Sequence, residues 1–99
     1  MTIEIKRNAE ETTIKLVGRL DTTTAPALDK TIGEDIAGTK NLVLDVKELE
    51  YISSAGLRVL LGAQKKMQKI GSMKVTNVRE EVMEVFEMTG FADILTIEA

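Results

Sequence analysis

Apolar and polar residues alternate over residues 3–7, Ile-Glu-Ile-Lys-Arg, the period of a strand with one buried face. A polar, turn-like stretch follows at 8–11, and alternation resumes over 12–20 through Ile14, Leu16 and Leu20. Two such runs joined by a short polar link predict an antiparallel hairpin. Asp21-Thr22-Thr23-Thr24-Ala25-Pro26 then breaks the pattern. Asp and Thr cap helices well, and Pro suits a first helical turn. A helix is therefore expected, with Ala27, Leu28, Ile32 and Ile36 at helical spacing and Gly38 as its stop.

Residues 41–45, Asn-Leu-Val-Leu-Asp, form a near-continuous apolar run, the mark of a strand covered on both faces. Residues 46–52 read as a connection anchored by Leu49 and Ile52, and Ser53-Ser54-Ala55-Gly56 opens a long helix reaching Ile70. Leu57, Leu60, Leu61 and Met67 share one face of it, widened by Val59, Ala63 and Ile70. Arg58, Gly62, Lys65, Lys66 and Lys69 lie opposite, and Gly71 closes the helix. Residues 73–78 alternate as a strand. Residues 79–89 follow as a third helix with Val82, Val85, Phe86 and Met88 as its apolar set and Gly90 as its end. Residues 94–98 make a last short strand. The order β-β-α-β-α-β-α-β is an α/β arrangement, a mixed sheet with helices packed on one or both faces. With short loops and no linker, repeat or low-complexity stretch, the chain reads as one domain over residues 1–99.

Composition narrows the chemistry. With one Tyr, two Phe and no Trp, the core must be aliphatic. There is no histidine and no cysteine, so a Ser-His-Asp triad, a thiolate metal site and a disulfide are all excluded. The net charge of −3 argues against nucleic acid, whose binding calls for a basic face and often stacking aromatics. Residues 1–6 are alternating and charged, unlike a signal peptide or a membrane span. A cytoplasmic protein without cofactor, metal or membrane attachment is expected.

The informative segment is 51–62. It sets two hydroxyls, Ser53 and Ser54, at a helix start, followed by the small residues Ala55 and Gly56. The first N–H groups of a helix lack internal partners and carry partial positive charge, so such a place either caps itself with a serine oxygen or cradles a phosphate. From the residues alone, the cap is the simpler reading. Small residues there would leave backbone open to a partner, and Gly62 extends the accessible strip beyond Ser54 and Arg58.

The run Leu42-Val-Leu-Asp-Val-Lys-Glu-Leu-Glu-Tyr-Ile-Ser-Ser-Ala-Gly-Leu-Arg-Val-Leu-Leu resembles the signature of the STAS domain family, in particular the stand-alone bacterial anti-sigma factor antagonists. The family pattern is an apolar strand ending in Asp, a short connection, then Asp-Ser-(Ser/Thr/Ala)-Gly-Leu opening a helix. Leu16-Val-Gly-Arg-Leu-Asp21, Thr24-Ala25-Pro26-Ala27-Leu28 and the stretch from Val75 to Phe91 resemble further parts of the family in the same order. The resemblance implies a partner-switching module with no catalytic residues; oligomeric state is left open by the sequence, a monomer being the simplest expectation. The unphosphorylated antagonist binds an anti-sigma factor that is also a serine kinase, which frees a sigma factor. Phosphorylation ends the binding, and a metal-dependent serine phosphatase restores it. Aligned on Ala55-Gly56-Leu57, the phosphorylated residue is Ser54, with Ser53 as the rival acceptor. The implied partner surface is Asp21, Thr22, Thr23, Ser53, Ser54, Ala55, Gly56, Arg58 and Gly62. One position departs from the pattern: Ser53 stands where the family usually has Asp.

Other residues read more plainly. Asp21 and the three threonines after it either cap a helix or meet the partner. Asp45 is read as bonded to nearby backbone N–H groups. The cations Arg58, Lys65, Lys66 and Lys69 form a solvated face or meet an acidic partner, the first being the simpler reading, with Arg58 set apart by lying one turn from Ser54. The five methionines are adaptable core filler, and Glu80 and Glu81 suit the start of the third helix. Two other functions stay open: a STAS subunit of a transport or other assembly that is never phosphorylated, and a small enzyme with Ser54 as nucleophile. The last would need a lysine base, and no lysine lies within a helical turn of Ser54.

Overall fold

The computed structural model describes residues 1–35 and 38–98; Ile36, expected on the first helix, lies outside them. Strands β1 (Thr2–Asn8) and β2 (Glu11–Leu20) form the antiparallel hairpin, with Ile3 facing Leu16 and Ile5 facing Ile14. Helix α1 (Ala25–Asp35) follows, with Pro26 in its first turn, and Gly38 takes the left-handed φ of +80°. Strand β3 (Asn41–Ile52) runs parallel to β2. Helix α2 (Ser54–Ile70), strand β4 (Ser72–Thr76) and helix α3 (Glu80–Thr89) succeed it. The sheet order is β1-β2-β3-β4-β5, with β5 (Ile97–Glu98) at the far edge, all parallel after the hairpin.

Three sequence expectations change. The stretch 46–52 is not a connection: it is the second half of β3, paired with β2 as far as Leu20↔Ile52. Its register slips twice, between Lys15 and Val17 and between Gly18 and Arg19. Each slip adds one residue to β3, so the inward positions become Val46, Leu49 and Ile52, all buried. Spacing of three in place of two hid the strand.

Nor is β3 covered by helices on both faces. One core joins Ile14, Leu16, Leu42, Leu44 and Val75 of the sheet to Leu28 of α1, Leu60 of α2 and Phe86 of α3. The opposite face carries Glu4, Lys6, Thr13, Lys15, Asp45 and Lys74, all at least partly exposed. Val43 is 7% exposed there, flanked in register by Thr13 and Lys74. That face is laced by the ion pairs Lys15–Glu48 (2.8 Å) and Lys74–Glu98 (3.4 Å).

The last strand is shorter than expected. A 3-10 turn occupies Phe91–Asp93, and β5 is only Ile97–Glu98.

Side-chain expectations hold with local exceptions. Met88, placed in the apolar set of α3, is 86% exposed. Met67 and Met73 are buried. Gln64 was not expected inside, yet it is buried in α2, and its Oε1 has no hydrogen-bond partner among the described residues. Gly71 closes α2 through a close approach of backbone: a Cβ there would lie 1.8 Å from the Lys40 carbonyl oxygen. Among the described residues, no helix is long and apolar enough to cross a membrane.

Candidate functional site

The parallel ends of β2 and β3 bring two loops together. The Ser53 N–H donates to the Leu20 carbonyl at 2.8 Å, so the start of α2 sits directly beside the turn that begins at Asp21. That turn is built from side-chain oxygens. Asp21 Oδ1 accepts from the Thr23 N–H (3.0 Å), the Thr23 hydroxyl (2.7 Å) and the Thr24 N–H (3.1 Å). The Asp21 N–H donates to Thr24 Oγ1 (2.8 Å), and that hydroxyl donates on to the Arg19 carbonyl (2.8 Å). The Thr23 hydroxyl, then the Thr24 and Thr23 amides, hold the Asp21 carboxyl below its usual range. Loop-building, not helix capping, is thus what the Asp21 side chain does within the chain, since its amide donors precede Ala25, the first residue of α1. Thr22 and Thr23 stay exposed.

At the start of α2 the two serines divide their roles. Ser53 is extended (φ −97°, ψ 176°), and its Oγ accepts from the Gly56 N–H at 3.3 Å; it is the N-cap. Ser54 is the first helical residue. It is exposed, and among the described residues its hydroxyl makes no hydrogen bond. The cap role that the sequence left open for either serine belongs to Ser53.

Gly56 corrects an expectation. It does not open backbone to a partner; it is buried, and a Cβ there would meet Leu20 Cγ at 2.7 Å and Ile52 Cγ1 at 2.9 Å. Its smallness lets α2 start tight against the strand ends. Ala55 is half-buried, while Arg58 and Gly62 are exposed, with nothing within 4 Å of a Cβ built at Gly62. Ser54, Arg58 and Gly62 recur at intervals of four, so they form one strip along α2.

Beside this strip, α1 and α2 flank a shallow groove of about 300 Å³ lined by Thr22, Ala25, Pro26, Asp29, Ala55, Arg58 and Val59. Of these, the sequence singled out Thr22, Ala55 and Arg58 as contacts. Ala25, Pro26, Asp29 and Val59 escaped because nothing in the order of residues says which helix faces which. Asp45, on the open face, accepts from the Lys47 N–H (3.1 Å) and the Asn77 amide (3.2 Å); it lies within the strand, not at its end. Among the described residues, no group of three or more carboxylates gathers as a metal site.

The model of the STAS domain family matches residues 2–99. The chain belongs to the STAS domain family. This STAS domain is 30% identical over 98 residues to the anti-sigma-B factor antagonist of Bacillus subtilis (strain 168), with 98% of this chain and 90% of that protein covered. Among solved structures it is similar to an anti-sigma factor antagonist from Mycobacterium paratuberculosis, with a TM-score of 0.87 and 25% identity over 97% of this chain and 83% of that one. Bacillus SpoIIAA shares the fold in both of its solved states. The unphosphorylated form gives a TM-score of 0.78 at 17% identity over 99% of this chain and 88% of that one. The phosphorylated form gives 0.77 at 18% identity over 99% and 92%.

Proposed function

We propose that this STAS domain is a cytoplasmic, monomeric anti-sigma factor antagonist whose binding to an anti-sigma factor is ended by phosphorylation of Ser54. The observation that carries the reading is the division of labour at the start of α2. Ser53 is spent as the cap, while the Ser54 hydroxyl is exposed and uncommitted, one turn along α2 from Arg58, which lines the α1–α2 groove. The names of its relatives support the antagonist role. SpoIIAA, which shares the fold, has been solved in a phosphorylated form, and this supports the reading.

In the modification step, Ser54 Oγ attacks the terminal phosphorus of a nucleoside triphosphate held by the kinase. A new P–O bond forms, the bond to the bridging oxygen breaks, the hydroxyl proton is lost and the nucleoside diphosphate leaves. A metal-dependent serine phosphatase returns the hydroxyl by hydrolysis. Phosphate adds roughly −1.5 to −2 charge, which the positive end of the helix accepts without unfolding. A partner fitted to a small hydroxyl then meets bulk and charge. Like charges across an interface cost several kcal/mol, about 2–5, and each ~1.4 kcal/mol is a factor of ten in affinity.

The test is intact mass and phosphopeptide mapping of the protein from its own host, alongside Ser53→Ala and Ser54→Ala. A one-phosphate increment lost only in Ser54→Ala supports the switch. Unmodified protein in both growing and stressed cells overturns it and leaves a constitutive scaffold.

A further inference from the structure

We infer that Arg58 captures the phosphate of modified Ser54, so that modification adds an anion and also withdraws a cation from the partner-facing groove. This rests on the reading of Ser54 as the modified residue. Arg58 is exposed, lines the groove with Asp29 of α1, and forms no ion pair or ring contact among the described residues. It stands four residues after Ser54, one turn along the same strip, where side chains are neighbours with Cβ atoms about 5–6 Å apart. An anion one turn N-terminal to a cation is the favourable order on a helix. A guanidinium offers a planar fork of donors that matches phosphate oxygens. Arg19, near the end of β2 beside the Asp21 turn, is stacked over the Tyr51 ring at 4.3 Å, so its cation is already engaged.

The charges lining the groove make the consequence specific. In the unmodified protein, Arg58 and Asp29 face the groove with opposite sign and unpaired with each other. A partner that fits this state places an acidic group against Arg58. Once the guanidinium folds back onto phosphate, Asp29 is the charge left facing the groove, and an acidic partner is repelled twice.

The experiment places phosphoserine at position 54 during synthesis of the full chain and follows its second ionisation by phosphorus NMR. Arg58→Ala, Arg58→Lys and Lys69→Ala are compared with the parent. Capture predicts that the phosphate of the parent loses its second proton about 0.3 pH unit lower than in Arg58→Ala. Arg58→Lys lies between them, and Lys69→Ala matches the parent. Superimposed titrations for the parent and Arg58→Ala overturn the inference, as does an equal shift in Lys69→Ala, which marks a general charge effect. Failure of Ser54 to be phosphorylated in the host is seen separately by mass and does not touch this readout.

Discussion

Ser53 and Ser54 are chemically alike, and the structure assigns the cap to Ser53. The cap bond from Gly56 to Ser53 Oγ predicts that Ser53→Ala lowers stability by about 1 kcal/mol, whereas Ser54→Ala, at an exposed hydroxyl, stays within about 0.5 kcal/mol. Urea unfolding of the two variants checks the pair, and equal losses would contradict the assignment. Asp21 gives a pH prediction. Its carboxyl is held below its ordinary value of 3.8 by hydroxyl and amide donors. The stability it adds is therefore present above that value and is lost as pH falls through the lower folded value. Asp21→Asn should flatten the loss of stability on the acid side, seen as a shallower fall of the urea midpoint below pH 3.8. Motif and spacing pointed to Ser54, Arg58 and the Asp21 turn. They did not show that Gly56 faces Leu20 and Ile52, because a glycine reads the same whether it opens a surface or closes a core.

The elements most legible in the chain are those with a clean period and a clear stop: the hairpin, α2 between Ser53 and Gly71, and α3 ending at Gly90. The second half of β3 was illegible because two added residues turn its period from two to three. Its inward set makes a sharp prediction. Leu49→Ala should cost about 2–5 kcal/mol, while Lys47→Ala and Glu50→Ala, at exposed positions, should cost no more than about 0.5 kcal/mol. Equal small costs at all three would return the segment to a loop. The same two slips lengthen β3 relative to β2, yet they end in register at Leu20↔Ile52. That register sets the Asp21 turn beside the start of α2, so the irregular strand is what assembles the site.

At the scale of the molecule, one core lies between the sheet and three helices, and the other sheet face is charged. Sequence order predicted the α/β class. It could not say that the helices share one side, because the apolar run at 42–44 reads as doubly covered while Val43 is flanked in register by Thr13 and Lys74 on the charged face. The arrangement predicts a graded hydrogen-exchange pattern. Amides of Ile14 and Leu44, at the centre of β2 and β3, should exchange slowest. Those of β1, a sheet-edge strand that is exposed except at Ile3, and of the two-residue β5 should exchange fastest. Uniform protection across the sheet would refute this view of where the stability lies.

Under the proposed switch at Ser54, the neutral cap has a further meaning for how sharply the module would report its state. Where the family pattern has Asp, the start of the helix carries a standing negative charge, and phosphate raises a background that already exists. With Ser53 as the cap, that background is absent, and the contrast between the two proposed states comes from position 54 and Arg58 with no contribution from the cap.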